Sequence, residues 1–186
     1  ANGKPAAPLN LLADYAGGAL NLAFGIACAL VERNRSGLGQ VIDASMVEGA
    51  AVLMTSMFGM YAAGLHTAPR GHNLLDGGAP HYATYACADG AYIAFAAIEP
   101  KFRAVFAERT GLPPEALARL DDPGTWAEGR AMLAELFATR TRREWCELLE
   151  DTDACVTPVL DRDEAPRHPH NAARGSFVVQ DGVTQP

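Results

Sequence analysis

From Tyr15 to Val31 the sequence runs YAGGALNLAFGIACALV without a charged residue. A stretch of about 17 uncharged, mostly apolar residues lies at the lower limit for a helix that crosses a membrane. Its make-up points elsewhere. It is rich in Gly and Ala, it carries Asn21, and Asp14 stands at its mouth. Small residues let two helix backbones approach closely, and a helix apolar on every side belongs in an interior. A tightly packed, buried helix is therefore expected from about Leu11 to Asn34, with no membrane span. Arg33 and Arg35 then fall in its last turn, where cations oppose the negative end of the helix dipole. Ser36-Gly37-Leu38-Gly39 breaks it.

The residues that follow give a short strand at Gln40–Asp43 and a second apolar helix from about Ser45 to Ala63, ended by Gly64. That helix carries Met46, Met54, Met57 and Met60. The last three, spaced by three, share a face. They read first as ordinary core packing and second as an adaptable surface for a flexible apolar ligand, because thioethers repack easily. Residues 1–9, with Gly3, Pro5 and Pro8, read as a connection from something upstream. Their polar, proline-broken character is not that of a signal peptide.

Composition changes after Gly64. Residues 66–80 form a Gly- and Pro-rich loop. Two β runs follow, His81–Cys87 and Ala91–Ala97, joined through Ala88-Asp89-Gly90, a hairpin signal. Pro100 opens a helix over Lys101–Thr110, and Pro113-Pro114 starts a short helical turn. Thr125 with Glu128 and Thr141 with Glu144 have capping-box spacing for helices Trp126–Ala138 and Arg142–Glu150. Val156–Leu160 reads as a strand, Arg162–His170 as a charged, proline-broken connection, and Phe177–Val179 as a last short strand. Residues 1–65 thus read as helix, strand, helix, residues 66–165 as a hairpin with several helices, and residues 166–186 as a returning linker. Two very apolar helices and a four-residue strand cannot close a core alone, so the chain reads as a piece of a larger α/β protein.

Composition removes several classes of function. With 49% hydrophobic and 20% charged residues among 186, disorder is excluded. Fifteen basic against 22 acidic residues leave a net charge of −7. The chain therefore lacks the basic stripe of a non-specific nucleic-acid binder and the polybasic patch of a membrane anchor. Cys28, Cys87, Cys146 and Cys155 form no CxxC pair and no zinc spacing. They read as buried free thiols, which suits a reducing cytosol and a cytoplasmic location. No GxSxG elbow or HExxH motif is present, and no metal is called for.

Three places can carry chemistry. Asp14 lies within a turn of a helix N-terminus beside the small run Ala16-Gly17-Gly18, where glycines leave room for a ligand to reach the backbone. The helix dipole favours its charged form and apolar neighbours disfavour it, as suits a base poised near neutral pH. It also fits a plain carboxylate stabilising its helix. Glu99 ends the apolar strand that precedes Pro100, either as a working group at a strand end or as a neighbour of a helix N-cap. The loop Arg70–Pro80 pairs Asp76 with Gly77-Gly78, a tight turn whose amides can face a ligand. His72 within it reads as a surface histidine.

Taken in order, LNLLADYAGGAL at 9–20, GLGQVIDASMVEG at 37–49, PRGHNLLDGGAPHYATYACADG at 69–90, AIEPKF at 97–102 and TDACVTPVL at 152–160 resemble the α-methylacyl-CoA racemase branch of the family III CoA-transferases. The resemblance implies an α/β fold. A partial Rossmann-like large domain is followed by a small α/β domain, and two complete chains interlock as a homodimer. It implies that the N-terminal part, with a catalytic histidine in a Gly-His-Asp motif, and the C-terminal end lie outside this sequence, so that the isolated chain is inactive. It further implies an acyl-CoA thioester as substrate, with no separate cofactor, and inversion at Cα of a 2-methyl-branched acyl group through an enolate. Asp14 would serve one face, and Glu99 would orient the histidine of the other. Asn10 would help orient the site, and Leu75, Gly77, Gly78, Tyr82 and Ile98 would contact substrate. Two other readings stand beside this one: a CoA-transferase with Asp14 as nucleophile, forming a mixed anhydride, and a non-catalytic dimerising fragment.

Overall fold

The computed structural model describes residues 7–67 and 69–186. The expected connection at residues 1–9 therefore lies largely outside the described residues. The chain divides into two compact units, residues 1–70 and 71–186, of mixed α/β character.

In the first unit one continuous helical stretch runs from Leu11 to Ser36. Its first ten residues, Leu11–Leu20, wind as a π-helix, with the Tyr15 amide donating to the Asn10 carbonyl at 3.2 Å. Such wide turns are rare and often mark functional sites. The α-helix α1 follows at Asn21–Ser36 and ends at Gly37, whose φ of +75° favours glycine. The next helix is split. α2 spans Met46–Leu53, capped by the Ser45 hydroxyl, which accepts from the Glu48 amide at 3.4 Å. α3 spans Thr55–Ala62. Between them Met54 leaves helical geometry, and the Thr55 hydroxyl donates back to the Val52 carbonyl at 2.7 Å.

The glycines of Ala16-Gly17-Gly18 serve a backbone crossing. A Cβ on Gly17 would stand 2.6 Å from the Ala50 amide nitrogen, and one on Gly49 would stand 1.8 Å from the Gly17 carbonyl oxygen. Asn21 Nδ2 seals the crossing by donating to that carbonyl at 3.0 Å. Gly17 is therefore committed to α2 rather than to an approaching ligand.

Two expectations fail here. The long helix is not buried within its unit: Leu20, Phe24 and Val31 are exposed, and Gly17 is the buried residue of its first ten. Apolar on all sides, it needs neighbours on all sides, and within this unit α2 crosses it along one line. Cys28 accordingly lies exposed, not buried. By length and composition Leu11–Ser36 is long and apolar enough to cross a membrane. The strand expected at Gln40–Asp43 does not form either, so helix–strand–helix is realised as helix, extended connection and two short helices. A strand exists through its ladder partner, and among the described residues Gln40–Asp43 has none. Val41 is 95% exposed, and Ile42 turns inward to cover Gly25.

The second unit is built on a three-stranded antiparallel sheet, β1 Ala83–Ala86, β2 Tyr92–Phe95 and β3 Val156–Pro158, in that order. Register pairs Tyr85 with Ile93 and Phe95 with Val156. The hairpin turns at Gly90, φ +78°, with the Cys87 amide donating to the Ala91 carbonyl at 2.8 Å. Alternation puts Tyr85, Ile93, Phe95 and Val156 on one buried face. Against it pack α4 (Pro100–Thr110), α6 (Trp126–Phe137) and α7 (Arg142–Leu149), with α5 (Pro114–Asp121) between α4 and α6 in sequence. Phe95 and Phe106 meet at 4.3 Å between ring centroids, and Phe137 meets Trp145 edge-on at 5.3 Å. Burying each such side chain contributes about 1.5–3 kcal/mol.

Of the two capping boxes, Thr141 with Glu144 forms as expected, each side chain serving the other's backbone. Thr125 with Glu128 does not. The Thr125 hydroxyl donates instead to the Arg119 and Asp122 carbonyls, and a 3₁₀ turn at Pro123–Thr125 leads into α6. Beyond β3, α8 spans Pro169–Arg174. The strand expected at Phe177–Val179 is β4, Val178–Gln180, hairpinned to β5, Val183–Gln185, through Asp181-Gly182.

Candidate active site

Part of the sheet's second face carries small side chains. Thr84, Ala94 and Ala96 line a cleft of about 490 Å³ together with Leu75, Gly77, Tyr82, Ala83 and Arg130. Its rim is the loop before β1, organised by one carboxylate. Asp76 accepts from the Gly71 amide at 3.0 Å, the Asn73 amide at 2.8 Å, Asn73 Nδ2 at 2.7 Å and the Gly78 amide at 3.2 Å. Burial pushes this carboxyl up. The Asn73 side chain and the three amides outweigh burial and hold it below the usual aspartate value. The loop therefore needs Asp76 ionised.

Two glycines are dictated by this geometry. Gly77 has φ +90°, a backbone state that favours glycine. A Cβ on Gly78 would stand 2.5 Å from the Asn73 nitrogen and 2.6 Å from its oxygen. From α6, Arg130 Nη2 reaches across and donates to the Gly77 carbonyl at 2.6 Å and the Gly78 carbonyl at 2.8 Å.

Glu99 is the N-cap residue of α4, with an exposed side chain and extended backbone. Its carbonyl accepts from the Phe102 and Arg103 amides at 3.1 and 3.3 Å. The strand end that delivers it is clamped by Arg103, 5% exposed, which donates to the Ala97 carbonyl at 2.9 Å, to the Ile98 carbonyl and to Asp121. Across the sheet Cys155 takes φ +53°, strained for a non-glycine residue. Its carbonyl accepts from the Ala96 amide at 2.9 Å. Burial, then the negative charge of Glu99 and of Asp153, pushes the Cys155 thiol up.

The cleft thus gathers Leu75, Gly77 and Tyr82, with Gly78 beside them through Arg130. Half-buried Ile98 and exposed Glu99 lie at the β2–α4 corner and do not line the cleft. Asp14 and Asn10 belong to the first unit, both exposed, Asp14 on the π-wound stretch and Asn10 at its cap. His72 is exposed, as expected of a surface histidine. Among the described residues no cluster of His, Cys, Asp or Glu is suited to a metal ion.

Asp76 as hub, Arg103, Arg130 and His81 escaped the sequence reading. The turn at Asp76-Gly77-Gly78 is legible in the sequence, but the hold of its carboxylate on the Gly71, Asn73 and Gly78 amides is not. His81, 4% exposed, stacks edge-on to Trp126 at 6.3 Å. Burial, then the charge of Arg103, holds its imidazole below the usual histidine value, against Asp121 and the Leu120 backbone.

Comparison with known proteins places this geometry in a lineage. The chain is 50% identical to the mouse α-methylacyl-CoA racemase (Mus musculus) over 98% of its length and 48% of that protein's. It is 49% identical to the human enzyme (Homo sapiens) over 96% of its length and 47% of that protein's. It is 30% identical to a succinyl-CoA–D-citramalate CoA-transferase from Chloroflexus aurantiacus over 88% of its length and 41% of that protein's. The chain thus spans about half the length of the curated relatives it matches. A crystal structure from Mycobacterium tuberculosis shares the fold with a TM-score of 0.70 at 21% identity, covering 99% of this chain and 50% of that one. Residues 1–186 match the pattern shared by one family of CoA-handling enzymes throughout, and the chain belongs to CoA-transferase family III.

Proposed function

We propose that the complete protein inverts the configuration at Cα of 2-methyl-branched acyl-CoA thioesters, by proton transfer through an enolate. The observation that carries this reading is identity of 49–50% along nearly the whole chain to two α-methylacyl-CoA racemases, against 30% to a CoA-transferase of the same family.

The chemistry asks for three things. A thioester α-proton leaves readily only if the developing enolate oxygen is stabilised, and one preorganised donor contributes about 3 kcal/mol to that. A positioned base adds about 10²–10⁴-fold. Inversion needs a proton acceptor on one face and a donor on the other. Asp14 serves one face. The group for the other face is the histidine that family resemblance places outside this chain. Glu99 positions that histidine, and the cleft bounded by Leu75, Gly77 and Tyr82 takes the acyl chain, with Gly78, Ile98 and Asn10 supporting the site. The first unit corresponds to the end of a Rossmann-like large domain. The working assembly is an interlocked homodimer in the cytoplasm, and its partner copy supplies neighbours for the exposed face of Leu11–Ser36.

A second reading has an observation behind it, the 30% identity to the CoA-transferase: Asp14 as nucleophile, forming a mixed anhydride. Incubating the complete protein with one 2-methylacyl-CoA in heavy water separates the two. Deuterium at Cα with no second acid present supports racemisation. Transfer of CoA to an added carboxylate, without deuterium uptake, sinks it in favour of transfer.

A further inference from the structure

The guanidinium of Arg130 stands at the wall of the cleft. Both hydrogens of Arg130 Nη2 are engaged by the Gly77 and Gly78 carbonyls. Among the described residues no carboxylate forms an ion pair with Arg130. What sets Arg130 apart is its place: it is held by two carbonyls at the wall of a cleft. Nη1 and Nε likewise have no protein acceptor among the described residues. Apart from Thr84 and Tyr82, which carry hydroxyls, the remaining walls are apolar or small. A half-buried guanidinium fixed by two carbonyls has already lost its rotamer freedom, and its free donors match the two oxygens of a carboxylate.

We propose that Arg130 receives a carboxylate at the far end of an acyl chain lying in the cleft, so that the site prefers acyl-CoA thioesters whose tail ends in a carboxylate over those ending in a methyl group. The assignment rests on reading the cleft as the acyl site of an acyl-CoA enzyme. A phosphate offers the same oxyanion chemistry, and CoA carries its own, so the test must distinguish the two sources.

The test is calorimetric titration of the complete protein with octanoyl-CoA and with the mono-CoA thioester of octanedioic acid, on wild type, Arg130→Met and Arg130→Lys. The ratio of the two dissociation constants is the quantity read, so any loss common to both ligands through a loosened glycine turn cancels. Wild type should bind the carboxylate-ended ligand about tenfold to a hundredfold more tightly, the range for hydrogen bonds to a charged group. Arg130→Met should abolish the ratio and Arg130→Lys retain part of it. A wild-type ratio near one, or a ratio that survives Arg130→Met, overturns the proposal. Equal losses on both ligands in Arg130→Met that vanish with 3′-dephospho-CoA thioesters place a CoA phosphate on Arg130 and overturn it too. Epimerisation of a single enantiomer of 2-methyloctanoyl-CoA is followed in parallel. Absent turnover by wild type with the binding preference intact contradicts the proposed reaction and supports the binding assignment.

Discussion

The buried guanidinium of Arg103 donates to the backbone carbonyl of Ile98, the residue immediately before Glu99. The same side chain holds the Ala97 carbonyl at 2.9 Å. A residue in the first turns of α4 thereby fixes the strand end from which α4 itself departs, and the direction in which Glu99 leaves the sheet follows from that clamp. Asp121, the ion-pair partner, has its side chain 56% exposed, so solvent screens the pair and the two carbonyl bonds carry most of the effect.

Arg103→Met keeps the length of the side chain and removes its donors, leaving two carbonyls without their partner. The expected cost is about 3 kcal/mol, read as a lowered urea midpoint of the complete protein, with a loss of turnover that exceeds the fraction unfolded. A midpoint unchanged from wild type would mean that the clamp is not what holds the corner.

Gly78→Ala places a methyl group 2.5 Å from the Asn73 nitrogen, against backbone that cannot swing away as a side chain can. Overpacking of this kind costs about 1–3 kcal/mol. Thermal unfolding should register the loss, and Tyr82, three residues beyond Ala79, should change its fluorescence on addition of acyl-CoA. An alanine variant as stable as wild type would contradict the loop geometry.

Acid should weaken the second unit in two stages. His81 has its pKa lowered from 6.5 by burial first and then by Arg103. The stability it confers is present above about pH 6.5 and is lost as pH falls through the depressed folded value. Asp76, lowered from 3.8, confers stability present above that value and lost as pH falls below it. One group contributes a slope of at most about 1.4 kcal/mol per pH unit. His81→Gln should flatten the dependence of the thermal midpoint below pH 6.5. An identical slope in variant and wild type would remove His81 from the account.

Alkali acts through Tyr85. Its hydroxyl donates to the Pro80 carbonyl at 2.5 Å, and burial pushes it up to about 12 against the opposing charge of Arg130. A raised pKa means stability fully present below pH 10 and lost as pH rises through 12. Tyr85→Phe should cost about 1 kcal/mol at neutral pH and abolish that alkaline loss. A phenylalanine variant that still weakens between pH 10 and 12 to the same extent would assign the effect elsewhere.

What the sequence discloses follows from how locally each feature is encoded. The Thr141–Glu144 box is legible because all its bonds lie within four residues. The hairpin at Asp89-Gly90 is legible for the same reason. The Thr125–Glu128 spacing is equally good, but Asp122 caps the 3₁₀ turn before it and the Arg119 carbonyl takes the Thr125 hydroxyl. The small residues of Ala16-Gly17-Gly18 announce a close crossing without saying that Gly49 completes it at Gly17. Gln40–Asp43 shows the limit of a four-residue apolar pattern, which encodes no partner. Arg103 and Arg130 carry no local signal at all: Arg130 acts on glycines more than 50 residues earlier in the chain. Asp14 and Glu99 stand out through neighbouring motifs, whereas the clamp that shapes the surroundings of Glu99 emerges only from tertiary structure.

The central claim is that Asp14 moves the substrate proton on one face. The direct measurement is Asp14→Ala in the complete protein, with a single enantiomer of a 2-methylacyl-CoA in heavy water, followed by chirality and by deuterium at Cα. Loss of epimerisation by at least about 10²-fold, with acyl-CoA still bound, is the predicted result. Undiminished epimerisation by the alanine variant would contradict it.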